Sequence, residues 1–252
     1  MLFQMRQMRI WLLYINLLVA AQLLIAQENE ELISIKPSDS LNFEDKISLR
    51  LRLGIDLYRI IFSQVNDDYE GFEVVSDFQV SENLFLALEF GDVKTTKDVD
   101  QVNFTTSGSY FKLGFDYNML ENLKGMNNNI SVGLRFASSS HSQVLNSYTI
   151  LDRSRFWASS DLPIESGYAT GERLNLSARW LEFVAGFKVQ LLKNIYMGIS
   201  LRLNRLLGDK IPENFDNIYI PGFNKKTEEN KFGAGFNYTL TYSIPIVSKN
   251  NK

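Results

Sequence analysis

The chain has no cysteine among its 252 residues, and this absence excludes disulfide bonds, thiolate metal sites and the acylated cysteine of a bacterial lipoprotein. It also has only one histidine, which excludes a metal site built from several histidines. Acidic residues outnumber basic ones, 29 to 26, so the charge gives no reason to expect nucleic acid as a partner. No phosphate-cradling glycine motif is present. We therefore expect the chain to bind neither a metal nor a cofactor.

Apolar runs long enough to span a membrane as a helix are also missing, except at the N-terminus. There a segment with two arginines precedes the apolar stretch IWLLYINLLVAAQLLIA, which ends at Ala26 and is followed by the acidic QENEE. A basic start, an apolar centre and a small final residue are typical of a secretory signal peptide. We predict a signal peptide over residues 1–26, with cleavage after Ala26 or after Ala21; an uncleaved membrane anchor is the alternative. Residues 27–46 are interpreted as a periplasmic lead-in and residues 247–252 as a C-terminal tail.

What the chain has instead is strict alternation of apolar and polar residues. In ISLRLRLGIDLY, residues 47–58, every odd position from Ile47 to Leu57 is aliphatic, and the even positions include two arginines, an aspartate and a glycine. A period of two predicts a β-strand, because successive side chains of a strand point to opposite faces. Soluble strands usually have about 5–6 residues, whereas a strand of a membrane barrel needs roughly 9–11. The length of this segment therefore favours a membrane barrel.

Eight segments alternate in this way. They are residues 47–58, 71–80, 84–91, 109–118, 130–137, 174–191, 195–206 and 231–244. Every second connection between them is long, namely residues 59–70, 92–108, 138–173 and 207–230. Long loops at one end and short turns at the other are typical of outer-membrane barrels. We therefore predict that residues 47–246 form an all-β fold, an eight-stranded antiparallel up-and-down transmembrane β-barrel like that of OmpA and OmpX, unless residues 138–173 add a hairpin.

The sixth segment shows an apparent change of phase. Its apolar residues Leu174, Leu176 and Trp180 are at even positions, whereas Phe183 and Phe187 are at odd positions. An extra residue in a strand reverses the direction of all the side chains that follow it. We therefore predict a β-bulge near Trp180.

The polar face of these segments contains glycine within most strands. The glycines are Gly54, Gly91, Gly114, Gly133, Gly186, Gly198, Gly233 and Gly235. Glycine weakens a strand on a solvated surface, but it suits the interior of an eight-stranded barrel, which is only just wide enough for its side chains. We therefore predict that the polar face lines the lumen and that the apolar face contacts lipid.

The same face carries equal numbers of bases and acids. The bases are Arg50, Arg52, Lys112, Arg135, Lys188 and Arg202, and the acids are Asp56, Glu73, Asp77, Glu89, Asp116 and Glu182. Equal numbers would allow the buried charges to pair, and an unpaired buried charge is costly. The alternative is a soluble periplasmic barrel that binds an apolar ligand, in which the apolar face points inward and the charges are solvated.

Aromatic residues mark both ends of the apolar faces. Those at the loop ends are Phe72, Phe90, Phe136 and Phe232, and those at the turn ends are Tyr117 and Tyr242. Barrels in lipid carry aromatic girdles at both interfaces, although aromatic residues favour strands in general. Their positions add to the loop asymmetry as an indication of a membrane barrel.

Five stretches carry a family resemblance: LRLGIDLYR, SGSYFKLGFDYN, VLNSYTI, NFDNIYIPGFN and KFGAGFNYTLTYSIPI. Together they resemble a family of Bacteroidota outer-membrane proteins described as a domain of unknown function with a β-barrel. The resemblance covers most of residues 47–246. It implies a barrel in the cell outer membrane and brings no catalytic residues. Outer-membrane barrels in general often end in an aromatic residue, whereas this chain continues as PIVSKNNK.

One residue is a candidate for catalysis: His141, in SSSHSQ at the start of the longest connection. Small barrel enzymes include lipid A deacylases that use serine, histidine and an acid, and Ser138, Ser139, Ser140 or Ser142 could pair with His141. A nucleophile needs a base and an orienting group in fixed geometry, which neighbours in a serine-rich loop rarely supply. We therefore expect an exposed loop histidine and no enzymatic activity. An outer-membrane lipid hydrolase that uses His141 is the alternative.

Two further features of the connections bear on binding. IPENFDNIYIPGFN, residues 211–224, is the most distinctive. Its aromatic residues are Phe215, Tyr219 and Phe223. They either pack the loop onto the barrel rim, which we expect, or form a binding surface. Asp92, Asp98 and Asp100 could bind calcium, but their spacing does not match an EF-hand, so no metal site is assigned to them.

The expected function is that of a small closed barrel of the cell outer membrane with a structural role, or with a role in interactions made by its loops. A wide pore is not expected, because eight strands leave a filled lumen. The expected partners are outer-membrane lipid, the barrel assembly machinery during insertion and a protein at the extracellular loops. Neither catalytic nor cofactor-binding residues are assigned.

Overall fold

A computed structural model describes residues 49–99, 102–120, 127–148, 170–171, 173–210, 217–225 and 231–246. The predicted signal peptide (1–26), lead-in (27–46) and C-terminal tail (247–252) lie outside the described residues. No helix in the described part of the chain is long and apolar enough to cross a membrane.

Eight long strands close into one antiparallel barrel. They are β1 (Leu49–Asp56), β2 (Tyr69–Gln79), β3 (Leu84–Val99), β4 (Val102–Asn118), β5 (Asn129–Tyr148), β6 (Arg173–Leu192), β7 (Ile195–Asp209) and β10 (Phe232–Ile246). The other elements are a helix, α1 (Leu57–Val65), and a short hairpin of β8 (Tyr219–Ile220) and β9 (Asn224–Lys225). Around the barrel the order is β1-β10-β7-β6-β5-β4-β3-β2, so each long strand pairs with its neighbours along the chain. The predicted eight-stranded up-and-down barrel is confirmed.

Strands extend into two of the predicted long loops. β3 and β4 stay paired as far as Val99 and Val102, so most of residues 92–108 belongs to strands. β5 likewise continues to Tyr148, into the predicted loop 138–173. Much of the remainder of that loop lies outside the described residues. The alternation rule missed these strand ends because their outward side chains are mostly polar, so no apolar face marks the period.

The barrel consists of two halves with opposite polarity. On the side of the short turns, outward side chains such as Leu113, Leu134 and Leu201 are apolar and exposed, and the inward side chains are largely charged. We call this half the lower barrel. On the side of the long connections, the outward side chains are polar, for example Ser138 and Ser140 of β5, and the inward side chains form an apolar core. We call this half the upper barrel.

The predicted girdle aromatics all point outward. Those that lie near the boundary between the two halves are Phe72, Phe90, Phe136 and Phe232, and those near the short turns are Tyr117 and Tyr242. All six are exposed, and the rings of Phe72 and Phe90 lie 6.2 Å apart across neighbouring strands. The apolar outer band is therefore bordered by aromatic rings on both sides.

The core of the upper barrel is one cluster of buried side chains. Its members are Tyr69, Val93, Phe104, Tyr110, Ala137, Ala178, Trp180, Leu206, Tyr219, Ile220 and Phe223. Trp180 and Phe223 are completely buried and pack edge to face with ring centroids 5.9 Å apart, a favourable geometry for aromatic pairs. The hairpin β8–β9 thus closes over the barrel interior.

A bulge lies near Trp180 as predicted, but on the neighbouring strand, because β6 keeps its phase from Asn175 to Lys188 and Trp180 faces inward. The register shift lies beside Trp180. Arg179 pairs with Gly208 and Trp180 pairs with Leu206, so the extra residue is Leu207 of β7. The apparent slip in the sequence reflects the inversion of polarity: the apolar face of β6 is the outer face in the lower barrel and the inner face in the upper barrel.

Helix α1 occupies part of the predicted loop 59–70. Asp56 caps it, since its carboxylate accepts a hydrogen bond from the backbone N–H of Tyr58 at 3.0 Å. The exposed side of the helix carries Tyr58, Ile61 and Val65, whereas Arg59 is buried. The helix therefore has the polarity of the lower barrel, with apolar side chains outside and charge inside.

The lumen is as crowded as the glycine pattern indicates. A Cβ atom on Gly54 would overlap the carbonyl oxygen of Leu240, and one on Gly114 would overlap that of Leu134. Gly235 differs, because a Cβ there would lie 3.5 Å from its nearest neighbouring atom, which is an ordinary contact. Gly235 therefore marks a place where the interior has room.

Candidate functional site

Ion pairs fill the lumen of the lower barrel. They form one large group and a small group of Arg52, Asp77 and Lys188, and we call the two groups together the network. Its acids are Asp56, Glu73, Asp77, Glu89, Asp116 and Glu182, and its bases are Arg52, Arg59, Lys112, Arg135, Lys188 and Arg202. The network holds all the predicted acids and all the predicted bases except Arg50, which donates to Asn127 instead. Arg59 of α1 completes it, although no strand pattern pointed to this residue. Six acids and six bases leave these residues without net charge.

Arg202 is at the centre of the network. It donates to Glu89 at 2.6 and 3.0 Å and to Glu182 at 3.0 Å. Lys112 Nζ lies 2.9 Å from Glu182, and Arg135 Nε donates to Glu89 at 3.3 Å. All five side chains are at least 95% buried. Each carboxylate therefore depends on these cations to offset its loss of hydration.

The space left in this network is small. A cavity of about 60 Å³ lies among Arg52, Asp77, Glu89 and Arg202, enough for a few ordered waters. No group of histidine and acidic residues in the described ranges is arranged to hold a metal ion. The charged side chains bind one another, so this arrangement suits a structural lumen.

A larger cavity, of about 450 Å³, lies beside α1, and we call it the rim cavity. Its aromatic lining residues are Tyr58, Phe62, Tyr69, Phe104, Tyr219 and Phe236. Two cations, Arg59 and Lys97, also line it. A concave site with a mainly apolar lining and a few polar groups is typical of small-molecule binding sites.

The two cations of the rim cavity differ in their partners. Arg59 Nε lies 3.3 Å from Glu73 and 3.5 Å from Asp56, and its guanidinium donates to the hydroxyl of Tyr69 at 3.0 Å. Lys97 is half-buried and forms no ion pair with the described acids. Lys97 is therefore the charge that remains for a ligand in this cavity.

Tyr219 also lines the rim cavity. Burial raises the pKa of Tyr219 to about 12, so the phenol stays neutral at neutral pH. Tyr219 and Phe223 of the predicted loop 211–224 are both buried, which confirms that they pack the loop onto the rim. Phe215 lies outside the described residues.

His141 lies on β5 and points into the upper barrel, where it is 5% exposed, so the expectation of an exposed loop histidine is wrong. Its Nδ1 lies 3.2 Å from Ser139 Oγ, and its Nε2 lies 3.0 Å from Asn217 Oδ1. Burial lowers the pKa of His141, while the hydrogen bond with Asn217 and the nearby carboxylate of Asp209 act in the opposite direction. Of the four candidate serines, the structure brings Ser139 to the histidine.

The row Ser139–His141–Asn217 contains a hydroxyl, a base and an orienting amide, the parts of an activated nucleophile. All three side chains are buried, and the lumen and rim cavities are lined by other residues. The contact between His141 and Asn217 holds the segment before β8 against β5. A second hydrogen bond does the same, because the backbone N–H of Ile218 donates to Gln143 on the same face of β5 at 3.1 Å. The geometry supports an anchor for the hairpin more directly than a catalytic site.

The aspartates considered for calcium do not form a site in the described residues. Asp92 accepts a hydrogen bond from Ser109 at 2.8 Å on the neighbouring strand. Asp98 lies near the end of β3, and Asp100 lies outside the described residues.

Sequence reasoning missed the rim cavity because its residues come from six separate elements: α1, β2, β3, β4, the β8–β9 hairpin and β10. One signal was available: in LYRIIFSQV, Tyr58, Ile61 and Val65 recur at helical spacing and indicate an amphipathic helix. A second signal was Gly235, which was interpreted like the other glycines of the polar face as a sign of a crowded lumen.

The chain belongs to the family described as a domain of unknown function (DUF6048), whose model matches residues 8–249. No curated protein matches the chain. Among solved structures, Ail, the attachment invasion locus protein of Yersinia pestis, is 9% identical, with 78% of this chain and 97% of that chain covered and a TM-score of 0.37. A major outer membrane protein from Thermus thermophilus is 10% identical, with coverage of 78% and 99% and a TM-score of 0.40. At these TM-scores the likeness carries no argument about function.

Proposed function

We propose that the protein is an integral barrel of the cell outer membrane, without a wide pore, whose interactions are made by the upper barrel and its loops. The observation that carries this proposal is the inversion of polarity between the two halves. An apolar outer face over a charged interior suits hydrocarbon surroundings, and a polar outer face over an apolar interior suits water.

The apolar outer face extends around the whole lower barrel. One exposed apolar residue from each long strand illustrates this: Leu53, Val74, Leu88, Leu113, Leu134, Phe183, Leu201 and Phe236. Monomeric soluble proteins rarely expose contiguous apolar patches of more than a few hundred Å². A continuous belt of this kind is stable when acyl chains cover it.

The alternative of a soluble barrel with an apolar interior describes the polarity of the upper barrel only. In the lower barrel it would require the charges to be solvated, but Glu73 and Glu182 are completely buried there. A soluble protein would also leave the apolar belt in water. The membrane barrel accounts for both halves.

Cysteine labelling tests this proposal, and the chain has no cysteine of its own to interfere. Leu113→Cys and Leu201→Cys are placed on the lower outer face, and Ser140→Cys on the upper outer face. With a membrane-impermeant maleimide applied to intact cells, we expect Ser140→Cys to react and the other two to be protected. Equal reaction at all three positions, or none at Ser140→Cys, would contradict the proposal.

A second candidate function is a hydrolase of outer-membrane lipid, and the observation that favours it is the contact between Ser139 and His141. In this reading Ser139 would be the nucleophile, His141 the base and Asn217 the orienting group. The test compares lipid A and phospholipids by mass spectrometry in cells that carry the wild type, Ser139→Ala or His141→Ala. Identical lipid species in all three strains would reject the hydrolase, and altered species would replace our first proposal.

The expected partners follow from the membrane proposal. They are outer-membrane lipid, the barrel assembly machinery during insertion and a protein that binds the extracellular loops. The Bacteroidota lineage stays a prediction that rests on the sequence resemblance.

A further inference from the structure

Over part of the height of the barrel wall, no strand among the described residues joins β2 to β10. β1 ends at Asp56, opposite Thr239 of β10, yet β10 continues to Phe232. On the other side, β2 begins at Tyr69 but first pairs with β1 at Val74. Above Asp56, the edges of β2 and β10 are therefore separated by α1 instead of being joined by a strand.

This gap lies within the apolar outer band. The outward residues Ala234 and Phe236 of β10 pair with Leu203 and Leu201 of β7, which are among the most exposed apolar residues of the barrel. The exposed side of α1 carries Tyr58, Ile61 and Val65. A helix satisfies its own backbone hydrogen bonds, so it can stand in a barrel wall that faces lipid.

Helix α1 is attached differently to its two neighbours. Toward β2, Ser63 Oγ accepts a hydrogen bond from the backbone N–H of Gly71 at 2.8 Å. Toward β10, the ring of Tyr58 rests on the ring of Phe236, with centroids 4.5 Å apart. Below this contact, the carboxylate that caps α1 accepts from the N–H of Tyr238 at 3.3 Å. At the level of Phe236, the contact of α1 with β10 is therefore made by two aromatic rings, whereas its contact with β2 includes a hydrogen bond.

The rim cavity lies at this gap. Its lining includes three successive residues of β10, Ala234, Gly235 and Phe236, and also Tyr58 on the exposed side of α1. The cavity therefore lies between α1 and the edge of β10. It continues inside the barrel to Tyr69 and Phe104.

We propose that the rim cavity binds one acyl chain of an amphiphile with an acidic head group, and that this chain enters from the outer leaflet through the gap between α1 and β10. The inference rests on the proposed function, since acyl chains reach the gap only if the lower barrel is in the membrane. The cavity of about 450 Å³ is of the size of small-ligand sites. Its aromatic lining accepts the chain, and Lys97 meets the acid.

Photocrosslinking of the full chain in phosphatidylcholine vesicles tests this inference. Two probes carry a diazirine in the acyl chain: a free fatty acid and a phosphatidylglycerol. We expect adducts on the inward residues Tyr69 and Phe104, which a chain reaches only through the cavity. Adducts from the first probe identify a free fatty acid as ligand, and adducts from the second identify the chain of a membrane lipid. Adducts confined to outward residues with both probes would overturn the proposal.

Two matched glycine variants make the test specific. Gly235→Leu fills the cavity, and Gly208→Leu introduces the same side chain at an exposed position where nothing lies within 4 Å of a Cβ. We expect labelling of Phe104 to fall about tenfold in Gly235→Leu, the loss that corresponds to ~1.4 kcal/mol of binding, and to stay at the wild-type level in Gly208→Leu. Equal labelling in the wild type and both variants would refute the site.

The role of Lys97 is tested with Lys97→Gln and with a diazirine alcohol of the same chain length. We expect the variant to weaken labelling by the fatty acid and to leave labelling by the alcohol unchanged. If both probes respond equally, the acidic head group is wrong. Carbonate extraction of native membranes separates this inference from the proposed function: a retained protein that shows no inward adducts refutes the site alone, whereas a released protein refutes the membrane placement.

Discussion

The lower and upper barrels use the same strands with their polarity reversed. In the lower barrel, Arg202 binds Glu89 and Glu182 inside, while leucine and phenylalanine face outward. In the upper barrel, Trp180 and Phe223 pack inside, while serine and threonine face outward. One strand, β5, passes from Leu134 on the lower outer face to Ser140 on the upper outer face.

The reversed polarity of the two halves indicates that the medium outside a small barrel decides which interactions stabilise its interior. Where water surrounds the barrel, burial of apolar side chains is favourable. Where hydrocarbon surrounds it, an apolar interior gains little over an apolar exterior, and paired charges can occupy the lumen because they never contact lipid. The two halves are therefore expected to respond to opposite kinds of substitution.

The largest effect is expected from the loss of a charge at the centre of the lower barrel. Arg202→Met removes the main partner of Glu89 and one of the two cations beside Glu182, and it should lower the free energy of unfolding by ~3–5 kcal/mol. Denaturant unfolding in phospholipid vesicles measures it. The control is Leu201→Met, next to it on the outer face, which should cost less than ~1.5 kcal/mol. Similar costs for the two variants would show that the network does not stabilise the lumen.

The next effect tests where the outer face changes polarity. Leu134→Arg places a charge on the lower outer face of β5 and should cost ~2–4 kcal/mol in a bilayer. Ser140→Arg makes the same change on the same face of the same strand in the upper barrel, and should stay within about 0.5 kcal/mol of the wild type. Unfolding in vesicles is again the measurement. If Ser140→Arg proved as costly as Leu134→Arg, the boundary would have to lie higher.

A smaller effect compares a crowded glycine with one that has room. Gly114→Ala forces a Cβ onto the carbonyl oxygen of Leu134 and should destabilise the barrel by ~1–3 kcal/mol. Gly235→Ala places the same atom at an ordinary contact distance and should be close to neutral. Thermal unfolding, followed by the shift of the folded band on gels, ranks the two variants. The reverse order would contradict the assignment of free space to the rim cavity.

The smallest effect concerns pH and the hairpin over the upper barrel. Burial lowers the pKa of His141 below its ordinary value of 6.5, so the folded state favours the neutral ring. Its contribution is complete above pH 6.5 and is lost as the pH falls below that value. Hydrogen exchange of the Ile218 amide, corrected for intrinsic rates, should show more opening at pH 5 than at pH 7.5. In His141→Gln this difference should disappear, and its persistence would assign the pH dependence to another group.

Alternation in the sequence was sufficient to predict the number of long strands, the closed antiparallel barrel and the inward direction of the lumen charges. It failed where the medium changes. At Trp180 the apolar face moves from outside to inside, and this inversion resembles a bulge when only the pattern is read. At His141 the outward neighbours are serines, so a paired strand resembles a loop.

The candidate sites were less predictable than the fold. The sequence showed that His141 is flanked by serines, but only the pairing of the strands shows that Ser139 shares its face and that Asn217 meets it from another segment. The family match over residues 8–249 agrees with the resemblance of the five stretches and adds no residue roles.

Three features can be read from the sequence alone: the period of two, the balance of acids and bases on one face and the position of the glycines. Each of them follows from the geometry of a single strand and needs no contact between distant residues. Three features could not be read from any single segment: which acid meets which base, that α1 takes the place of a strand beside β10, and that a cavity lies there. They depend on distances between residues far apart in the chain, and closure of the barrel sets those distances.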